Sequence, residues 1–582
     1  MRLPIPTAAD EVLDDISEGL LRLYPENAAY LGIDTADRTA LKSRLTDRSP
    51  KGVADAKDHV TTILRSLYEL DGAAVPSDQR LDLDVAAAAY AYAREGLEFG
   101  FGEMACLNVN LSHRSTPYVV AQNTGAVLEI PEFLDSQHGI SDSHDADAYI
   151  ERMHAYGEAL DGETARIRVD LDLGVVLPDF LLHKTIGQLK AVRDLPADQW
   201  QVVASLNRPG RNLPEHLEAA KALVAAELRP ALGRQIEALE RAVPRATSDA
   251  GVWKLPDGGE YYDWALRMST TTAIGAEQVH KMGLDQLREL HARMEPLLRR
   301  RGLTGGSIPE RMEALAIDPA NLYPNDDAGR ASLLDYINDR LADIRARMPD
   351  AFDTLVPGNV MVKRISPAIE LGAPDGYAGP GSLDGSTAGI YYINLRDTAI
   401  WPRHALPTLT FHEAIPGHIW QGEYSNQLPL ARSLLSFNAY SEGWALYAEQ
   451  LSAELGIYED DDLGQLGYLQ SLAFRACRLV VDTGIHARRW TRDQAIDWFV
   501  ENNGSPRAQV AGEVDRYCVW PGQSCSYKIG HTHFTMLRNR ARQRLGNRFP
   551  AKAFNDMLVQ GGSVPLSVLT RIADAFVVRH LG

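Results

Sequence analysis

Apolar residues recur at helical spacing along most of this chain. The first apolar stripe runs through Val12, Ile16 and Leu20 and follows Asp10, which we identify as a helix-capping residue. The same period predicts further helices at 55–71, 78–100, 146–170, 214–244, 276–301, 328–347, 463–487, 492–502 and 509–517. The pattern therefore predicts a mainly α-helical protein whose first two thirds form a helical scaffold.

Strand signals are few, and they lie just before the residues that carry candidate chemistry. Residues 360–365 alternate in polarity, residues 389–394 form a short β-branched and aromatic run, and the Gly- and Pro-rich stretch 373–382 between them predicts a loop. We expect a small sheet here. Its edge could hold an extended peptide, with Tyr391 as a substrate-contacting residue; a strand that only packs against a helix fits the pattern equally well.

Residues 412–418 read His-Glu-Ala-Ile-Pro-Gly-His, with two histidines six residues apart. The familiar H-E-x-x-H arrangement of zinc hydrolases spaces them by four, about 40° apart around a helix, whereas a spacing of six gives about 240°. A straight helix could not direct both imidazoles to one metal ion. Because Pro416 removes a helical hydrogen bond and Gly417 accepts unusual backbone angles, we expect a kink or bulge at 415–417 that brings His418 back into phase.

The segments around these polar residues are strongly apolar. Leu-Pro-Thr-Leu-Thr-Phe precedes His412, and Glu442 lies in a second apolar run, Ser-Glu-Gly-Trp-Ala-Leu-Tyr. Buried polar groups are costly without partners, so these side chains are expected to serve one another or a ligand. Chance occurrence of His and Glu in ordinary helices is the alternative. The combination favours a zinc hydrolase site in which Glu413 is the general base.

A row of polar residues follows at 475–486. Arg475, Arg478 and Asp482 are spaced by three and four, so one helix face can carry all three, with His486 four residues further on. An ion-pair network or a solvated face is the default interpretation of such a row. The alternative is contact with a substrate, for which His486 is our candidate.

The stretch 515–531 contains the remaining candidates. Pro521 is expected to begin a helix that carries Tyr527 and Lys528. The Tyr527 hydroxyl could stabilise a developing oxyanion, although core packing is an equally good explanation for it. Arg516 or Lys528 could bind the carboxylate of a peptide.

Composition narrows the classes of partner and the expected location. The 582 residues are 45% apolar and 24% charged, with a net charge of −19, which argues against nucleic acid or an anionic membrane as a partner. The N-terminal residues show no secretory signal, and no window approaches the roughly 20 apolar residues that span a bilayer. The four scattered cysteines are expected to be free thiols in a cytoplasmic protein.

Several segments together resemble the bacterial family called domain of unknown function 885, and the resemblance extends over nearly the whole chain. The most specific of them is HEAIPGH at 412 with the glutamate of SEGWALY at 441. The others are GVWKLPDG at 251, RLVVDTGIH at 478 and WPGQSCSYKIG at 520.

That family in turn resembles the gluzincin metallopeptidases, mostly helical enzymes whose two lobes enclose a channel. The resemblance implies that His412, His418 and Glu442 are zinc ligands, that Glu413 is the base and that Tyr527 polarises the carbonyl of the substrate. It also implies a helical scaffold lobe in 1–350 and a catalytic region with the small sheet in 351–582, interleaved in one continuous unit.

Three functions are compatible with these residues. The leading hypothesis is a zinc-dependent hydrolase that cleaves amide bonds of short peptides. A second is a metal-dependent enzyme that acts on a non-peptide amide or a biosynthetic intermediate by hydrolysis, cyclisation or transfer. The third is a non-catalytic binding protein on the same scaffold, against which the intact base and ligand set argue.

Overall fold

The computed structural model describes residues 7–70, 75–76, 79–208, 211–365, 367, 370, 375–379, 381–383, 385 and 387–581. The chain divides into two compact units, Met1–Trp264 with Cys518–Trp520, and Ala265–Tyr517 with Pro521–Gly582. The boundary after residue 264 lies earlier than the expected division at 350. The expected division at 350 marks the start of the catalytic region, and this start stays a prediction.

The first unit consists of helices and a two-stranded ladder. Its helices are α1 (Ala8–Leu23), α2 (Glu26–Tyr30), α3 (Pro50–Glu69), α4 (Arg80–Leu97), α5 (Ala126–Ser136), α6 (Ser143–Leu173), α7 (Asp179–Arg193), α8 (Gln201–Leu206), α9 (Pro214–Leu223), α10 (Arg229–Glu240) and α11 (Gly258–Thr270), the last of which continues into the second unit. Strands β1 (Glu103–Met104) and β2 (Ser115–Thr116) pair antiparallel. The cap of α1 is Thr7 instead of the predicted Asp10, because Asp10 occupies the third helical position of a capping box.

The second unit contains the candidate chemistry. Its helices are α12 (Ala276–Arg300), α13 (Ile308–Ile317), α14 (Asp327–Ala351), α15 (Leu406–Glu413), α16 (His418–Ser425), α17 (Leu430–Ser433), α18 (Asn438–Glu454), α19 (Asp462–Ala487), α20 (Arg492–Asn503), α21 (Arg507–Val519), α22 (Ser526–Leu545), α23 (Ala551–Gln560) and α24 (Leu566–Leu581). Helix α18 packs against α22, and α12 packs against α19. Buried aromatic rings fill the first of these contacts, with Trp444 and Tyr447 of α18 against Phe534 of α22.

A three-stranded sheet precedes α15 in the chain. Its strands are β3 (Val360–Arg364), β4 (Gly376–Gly379) and β5 (Gly389–Ile393), in the order β3-β5-β4, with β3 parallel and β4 antiparallel to β5. Part of the stretch predicted to be a loop forms strand β4 instead. The ring of Tyr377 stacks on that of Tyr392 in β5 at 4.8 Å, and this cross-strand contact stabilises the pairing. Residues 373, 374 and 380 of that stretch lie outside the described residues.

The predicted mainly helical fold with a small sheet is confirmed, and the long predicted helices coincide with α3, α4, α6, α12, α14 and α19 to α21. Residues 71 and 78, at the ends of two predicted helices, and residues 1–6, part of the stretch searched for a signal, lie outside the described residues. Pro521 does not begin a helix as predicted. Gly522 takes a left-handed conformation (φ 76°), and α22 starts only at Ser526. None of the helices in the described ranges is long and apolar enough to cross a bilayer.

Candidate metal centre

The chain interrupts its helix between the two histidines of the HEAIPGH segment. Helix α15 ends at Glu413, α16 begins at His418, and the Ile415–Pro416 peptide bond between them is cis. The indole of Trp444 donates a hydrogen bond to the Pro416 carbonyl at 2.9 Å and so ties the break to α18. The expected distortion is present, as a complete break instead of a bulge.

Gly417 permits this break because its Cα approaches the preceding turn closely. A Cβ at this position would lie 1.8 Å from the carbonyl oxygen of His412, far inside van der Waals contact. The break brings the two imidazoles together, with ring centroids 5.0 Å apart and planes at 86°. The spacing of six residues is therefore compatible with convergence on one point.

Three side chains converge where a metal ion would be expected. Candidate ligand atoms of His412, His418 and Glu442 all lie within 4.8 Å of one another, and they form the only group of this kind among the residues that the structure describes. Nε2 of His412 and Nε2 of His418 lie 3.4 and 3.3 Å from Oε2 of Glu442. Two ligands of a tetrahedral ion with bonds of about 2.1 Å are about 3.4 Å apart, so these separations fit zinc.

The carboxylate oxygen that faces both imidazoles has no hydrogen-bond partner among the described residues. This atom, Oε2 of Glu442, is buried, and an unsatisfied buried polar atom costs about 1–3 kcal/mol, or more if it is charged. Burial disfavours ionisation of Glu442, but the adjacent imidazoles of His418 and His412 lower its pKa well below the usual range. A cation between the three ligand atoms would satisfy this oxygen.

Glu449 supports the site from the opposite side of His412, and sequence reasoning missed it. Its Oε1 accepts a hydrogen bond from Nδ1 of His412 at 2.8 Å, and its Oε2 accepts one from Ser471 at 2.7 Å. Burial lowers the pKa of His412, but the carboxylates of Glu442 and Glu449 raise it to about 9. The available signal was spacing: Glu449 follows Glu442 by seven residues, two turns along the same face of an apolar helix.

Glu413 lies beside the three candidate ligands without belonging to them. It closes α15 directly after His412, and its side chain is buried. Burial raises the pKa of its carboxyl, and the imidazoles of His412 and His418 oppose that rise. A carboxyl group in this position can accept and return a proton next to a metal ion.

A close helix crossing brings Tyr527 to the same site. A Cβ on Gly530 of α22 would lie 2.0 Å from the carbonyl oxygen of Ala439, and a Cβ on Gly443 of α18 would lie 2.6 Å from Cα of Gly530. These glycines of the SEGWALY and SYKIG segments thus let the two backbones touch. As a result, the Tyr527 ring lies nearly parallel to the His412 ring, at 6.5 Å and 14°.

Asp482 holds the loop that leads into α22. The backbone N–H of Gly522 and the hydroxyl of Ser524 donate to the two carboxylate oxygens of this completely buried side chain, at 3.1 and 2.9 Å. Asp482 therefore acts on the site through the position of Tyr527, which follows this loop. Asp482 therefore fits the default interpretation of the polar row at 475–486, which is a network of contacts inside the protein.

Arg478 and Arg516 share one carboxylate next to Tyr527. Nη2 of each guanidinium donates to Oε2 of Glu513 at 2.8 Å, and the hydroxyl of Tyr517 donates to the same oxygen at 2.7 Å. The guanidinium of Arg478 also lies over the Tyr527 ring at 4.4 Å. Arg516, a predicted substrate-binding residue, further donates to the side chain of Gln523.

The other predicted substrate-binding residues are buried in the protein. Nζ of Lys528 lies 3.0 Å from Nδ1 of His531, and burial lowers the pKa of this lysine to about 8. The ring of His486 hydrogen-bonds the carbonyl of Tyr517 at 2.9 Å. Tyr391 has no exposed surface. The polar groups of Lys528 and His486 are thus hydrogen-bonded within the protein, and contact of Lys528, His486 or Tyr391 with a substrate stays a prediction.

Two solved structures share this fold over nearly the whole chain. A "putative lipoprotein" from Colwellia psychrerythraea is 30% identical, with a TM-score of 0.94 over 99% of this chain and 100% of its own. A "putative lipoprotein of unknown function" from Shewanella oneidensis is 16% identical, with a TM-score of 0.71 over 98% of this chain and 100% of its own. A "putative oligoendopeptidase F" from Bacillus anthracis str. Ames aligns over 100% of this chain and 96% of its own, with 13% identity and a TM-score of 0.33, and nothing about the site follows from it.

The likeness to two proteins described as lipoproteins contradicts the cytoplasmic location expected from the N-terminal sequence and the cysteines. That expectation was wrong because scattered free thiols are a weak signal of the cellular compartment. No functionally curated protein matches the chain. The sequence profile of one family matches residues 25–572, and this chain therefore belongs to the family described as bacterial protein of unknown function, DUF885.

Proposed function

We propose that this protein is a zinc-dependent hydrolase that cleaves amide bonds in short peptides. The observation that carries the proposal is the convergence of His412, His418 and Glu442 around one buried carboxylate oxygen without a hydrogen-bond partner. Two nitrogens and one oxygen form a ligand set typical of catalytic zinc, which keeps its fourth position open.

Zinc, when bound, supplies Lewis acidity that lowers the pKa of water to about 7 and polarises a carbonyl group. The chain's own residues provide the proton transfers. The carboxylate of Glu413 takes a proton from the attacking water and then delivers it to the nitrogen of the leaving amine. The His412–Glu449 hydrogen bond keeps Nε2 of His412 directed towards Glu442 throughout.

We assign to Tyr527 the polarisation of the substrate's carbonyl group. Burial raises the pKa of its hydroxyl, with the carboxylate of Glu442 contributing in the same direction, so the hydroxyl stays protonated near neutral pH. A protonated phenol can donate a hydrogen bond to the oxygen of a reacting carbonyl. The ring is only partly buried, and the side chain of His418 is 21% exposed, so this side of the site is accessible.

Turnover of a peptide library by zinc-loaded protein tests the proposal. The wild type should hydrolyse short peptides, whereas Glu413→Gln should keep the metal and lose activity by at least about a hundredfold, since general base catalysis contributes that much. Glu501→Gln, an exposed change on α20, is the matched control. If only non-peptide amides are cleaved, the peptide assignment is wrong; if wild type and Glu413→Gln are equally inert on both classes, the chain is a binding protein.

We also propose that the protein is located at a membrane or outside the cytoplasm, because a protein 30% identical to it is described as a lipoprotein. Fractionation of the bacterial source followed by immunodetection tests this location. Recovery in the membrane or exported fraction is expected, and exclusive recovery in the cytoplasm would contradict it.

A further inference from the structure

We propose that Arg478 binds a carboxylate group of the substrate beside the metal centre. The inference rests on the proposed amide hydrolysis and names the substrate class: short peptides that carry a carboxylate close to the cleaved bond. We assign this role to Arg478 in preference to Arg516 and Lys528, the candidates for it from the sequence.

The donor groups of Arg478 are not all used within the protein. Nε donates to the hydroxyl of Tyr517 at 3.0 Å and Nη2 donates to Glu513 at 2.8 Å, whereas Nη1 is buried and has no hydrogen-bond partner among the residues that the structure describes. The whole residue is only 7% exposed. A guanidinium has five N–H donors, so Nη1 carries two N–H groups that no acceptor in the described part of the chain uses. An unused charged donor in the interior is costly unless something else binds it.

This guanidinium packs on the Tyr527 ring, which faces the candidate metal centre. It is 4.4 Å from the centroid of the Tyr527 ring, and that ring is itself nearly parallel to the ring of His412. Arg478 is therefore separated from a proposed zinc ligand by a single aromatic ring. A small group held there would lie within one or two residues of a carbonyl oxygen bound near Tyr527.

The local charge balance also favours an anion. Glu513, the carboxylate that pairs with Arg478, is shared with Arg516 and with the hydroxyl of Tyr517, so it neutralises Arg478 only in part. Burial raises the pKa of Asp375 and the nearby Glu513 adds to the rise, but the Asp375 carboxylate lies 3.9 Å from Arg396. A substrate carboxylate would complete the pairing of Arg478.

The chemistry of a guanidinium selects the ligand. Its flat array of donors matches the two oxygens of a carboxylate, and such charge-assisted bonds are about twice as strong as neutral ones. The carboxylate can be the C-terminus of the peptide or an acidic side chain. Lys528 is less suited, because its amine is already bonded to His531.

Binding to a zinc-loaded Glu413→Gln protein tests the inference without turnover. Isothermal titration compares acetyl-Ala-Ala with its C-terminal amide, and acetyl-Ala-Glu-amide with acetyl-Ala-Gln-amide. We expect one acid to bind at least about tenfold more tightly than its amide, and which pair shows the preference identifies the carboxylate. Adding Arg478→Gln should abolish the preference and Arg478→Lys should reduce it, whereas Arg488→Gln, at the exposed end of α19, should retain it.

A metal ion could also prefer acids, and the variants separate the two causes. A preference that persists unchanged in Arg478→Gln and Arg478→Lys would overturn the inference, as would the lack of a preference in both peptide pairs. If Arg478→Gln fails to fold, as judged by circular dichroism and zinc content, the binding preference of Arg478→Lys for the acid over its amide is the test. Failure of the proposed function is distinguishable, because it is seen as missing turnover by the wild type whatever the binding preference.

Discussion

Nδ1 of His412 donates a hydrogen bond to Glu449 at 2.8 Å, and this bond determines which nitrogen of the imidazole faces the metal site. The proton on Nδ1 leaves Nε2 unprotonated in the neutral ring, and Nε2 lies 3.4 Å from Glu442. Hydrogen-bonded carboxylates of this kind orient metal-binding histidines and raise their basicity.

Removing the charge of Glu449 should weaken zinc binding. Glu449→Gln keeps an acceptor for Nδ1 but loses the negative charge, so we expect zinc affinity to fall about tenfold to a hundredfold. Ser471→Ala, which removes the hydrogen bond to the second carboxylate oxygen together with the acceptor of one Arg475 donor, should have a smaller effect in the same direction. Competition with a chromogenic chelator measures both, with Glu501→Gln as control. Unchanged affinity in Glu449→Gln would show that the bond is only structural.

The helix break should depend on Gly417. In Gly417→Ala the new Cβ would meet the His412 carbonyl at 1.8 Å, so the backbone must move, at a cost of about 1–3 kcal/mol, and displace His418. Gly422→Ala, five residues further on in α16, adds its Cβ to open space and should be neutral or stabilise by about 0.5–1 kcal/mol. Urea denaturation and zinc content measure the two effects. Equal stability and zinc content in both variants would contradict the proposed role of the close approach.

The crossing of α18 and α22 should position Tyr527. Gly530→Ala places a methyl group 2.0 Å from the Ala439 carbonyl and should push the helices apart, destabilising the protein by about 1–3 kcal/mol. We expect kcat to fall more than KM rises, since Tyr527 acts on the reacting carbonyl. Gly512→Ala on α21, where the Cβ meets nothing, is the control. A Gly530→Ala protein with wild-type kcat would contradict a role of this helix crossing and of Tyr527 in the reaction.

The amphipathic helices and the two-histidine segment were predictable from the sequence because each depends on local spacing. Pro416 and Gly417 also indicated a distortion, but only the contacts with Trp444 and His412 show that the helix stops and restarts. Other elements depend on contacts between segments that are distant in the sequence. Strand β4 has the composition of a loop and exists because β5 lies beside it.

Long-range partners explain what the sequence could not reveal. Glu449 hydrogen-bonds His412, which lies on another helix. Arg478 and Asp482 lie on one helix face but have different roles, and their spacing does not distinguish these roles. Asp482 anchors the loop before α22, whereas Arg478 retains an unused donor. Lys528 and Arg516 have the residue types expected of a substrate site, yet both make internal hydrogen bonds.

Stability in the first unit should fall in acid because of His138. Its Nε2 hydrogen-bonds the carbonyl of Asp145 at 2.9 Å and its Nδ1 accepts from Arg152 at 2.7 Å, so the ring is held neutral; burial and the Arg152 charge lower its pKa to about 4. In the unfolded chain the histidine pKa is about 6.5, so as the pH falls His138 is protonated in the unfolded state before it is protonated in the folded state.

The free energy of unfolding should therefore decrease as the pH falls from about 6.5 to 4, by up to about 1.4 kcal/mol per pH unit from this residue. His138→Gln should show a shallower pH dependence than the wild type, and the exposed His183→Gln should not. Urea denaturation across this pH range is the measurement. Identical pH profiles for the wild type and His138→Gln would refute the assignment.

Metal stoichiometry tests the central claim, that His412, His418 and Glu442 bind zinc, most directly. Protein reconstituted with zinc and passed through a desalting column is analysed by inductively coupled plasma mass spectrometry. We expect about one zinc per chain in the wild type and in Glu413→Gln, with loss of the metal in His412→Ala, His418→Ala and Glu442→Ala. A wild type that retains no zinc, or full retention in all three ligand variants, would contradict it.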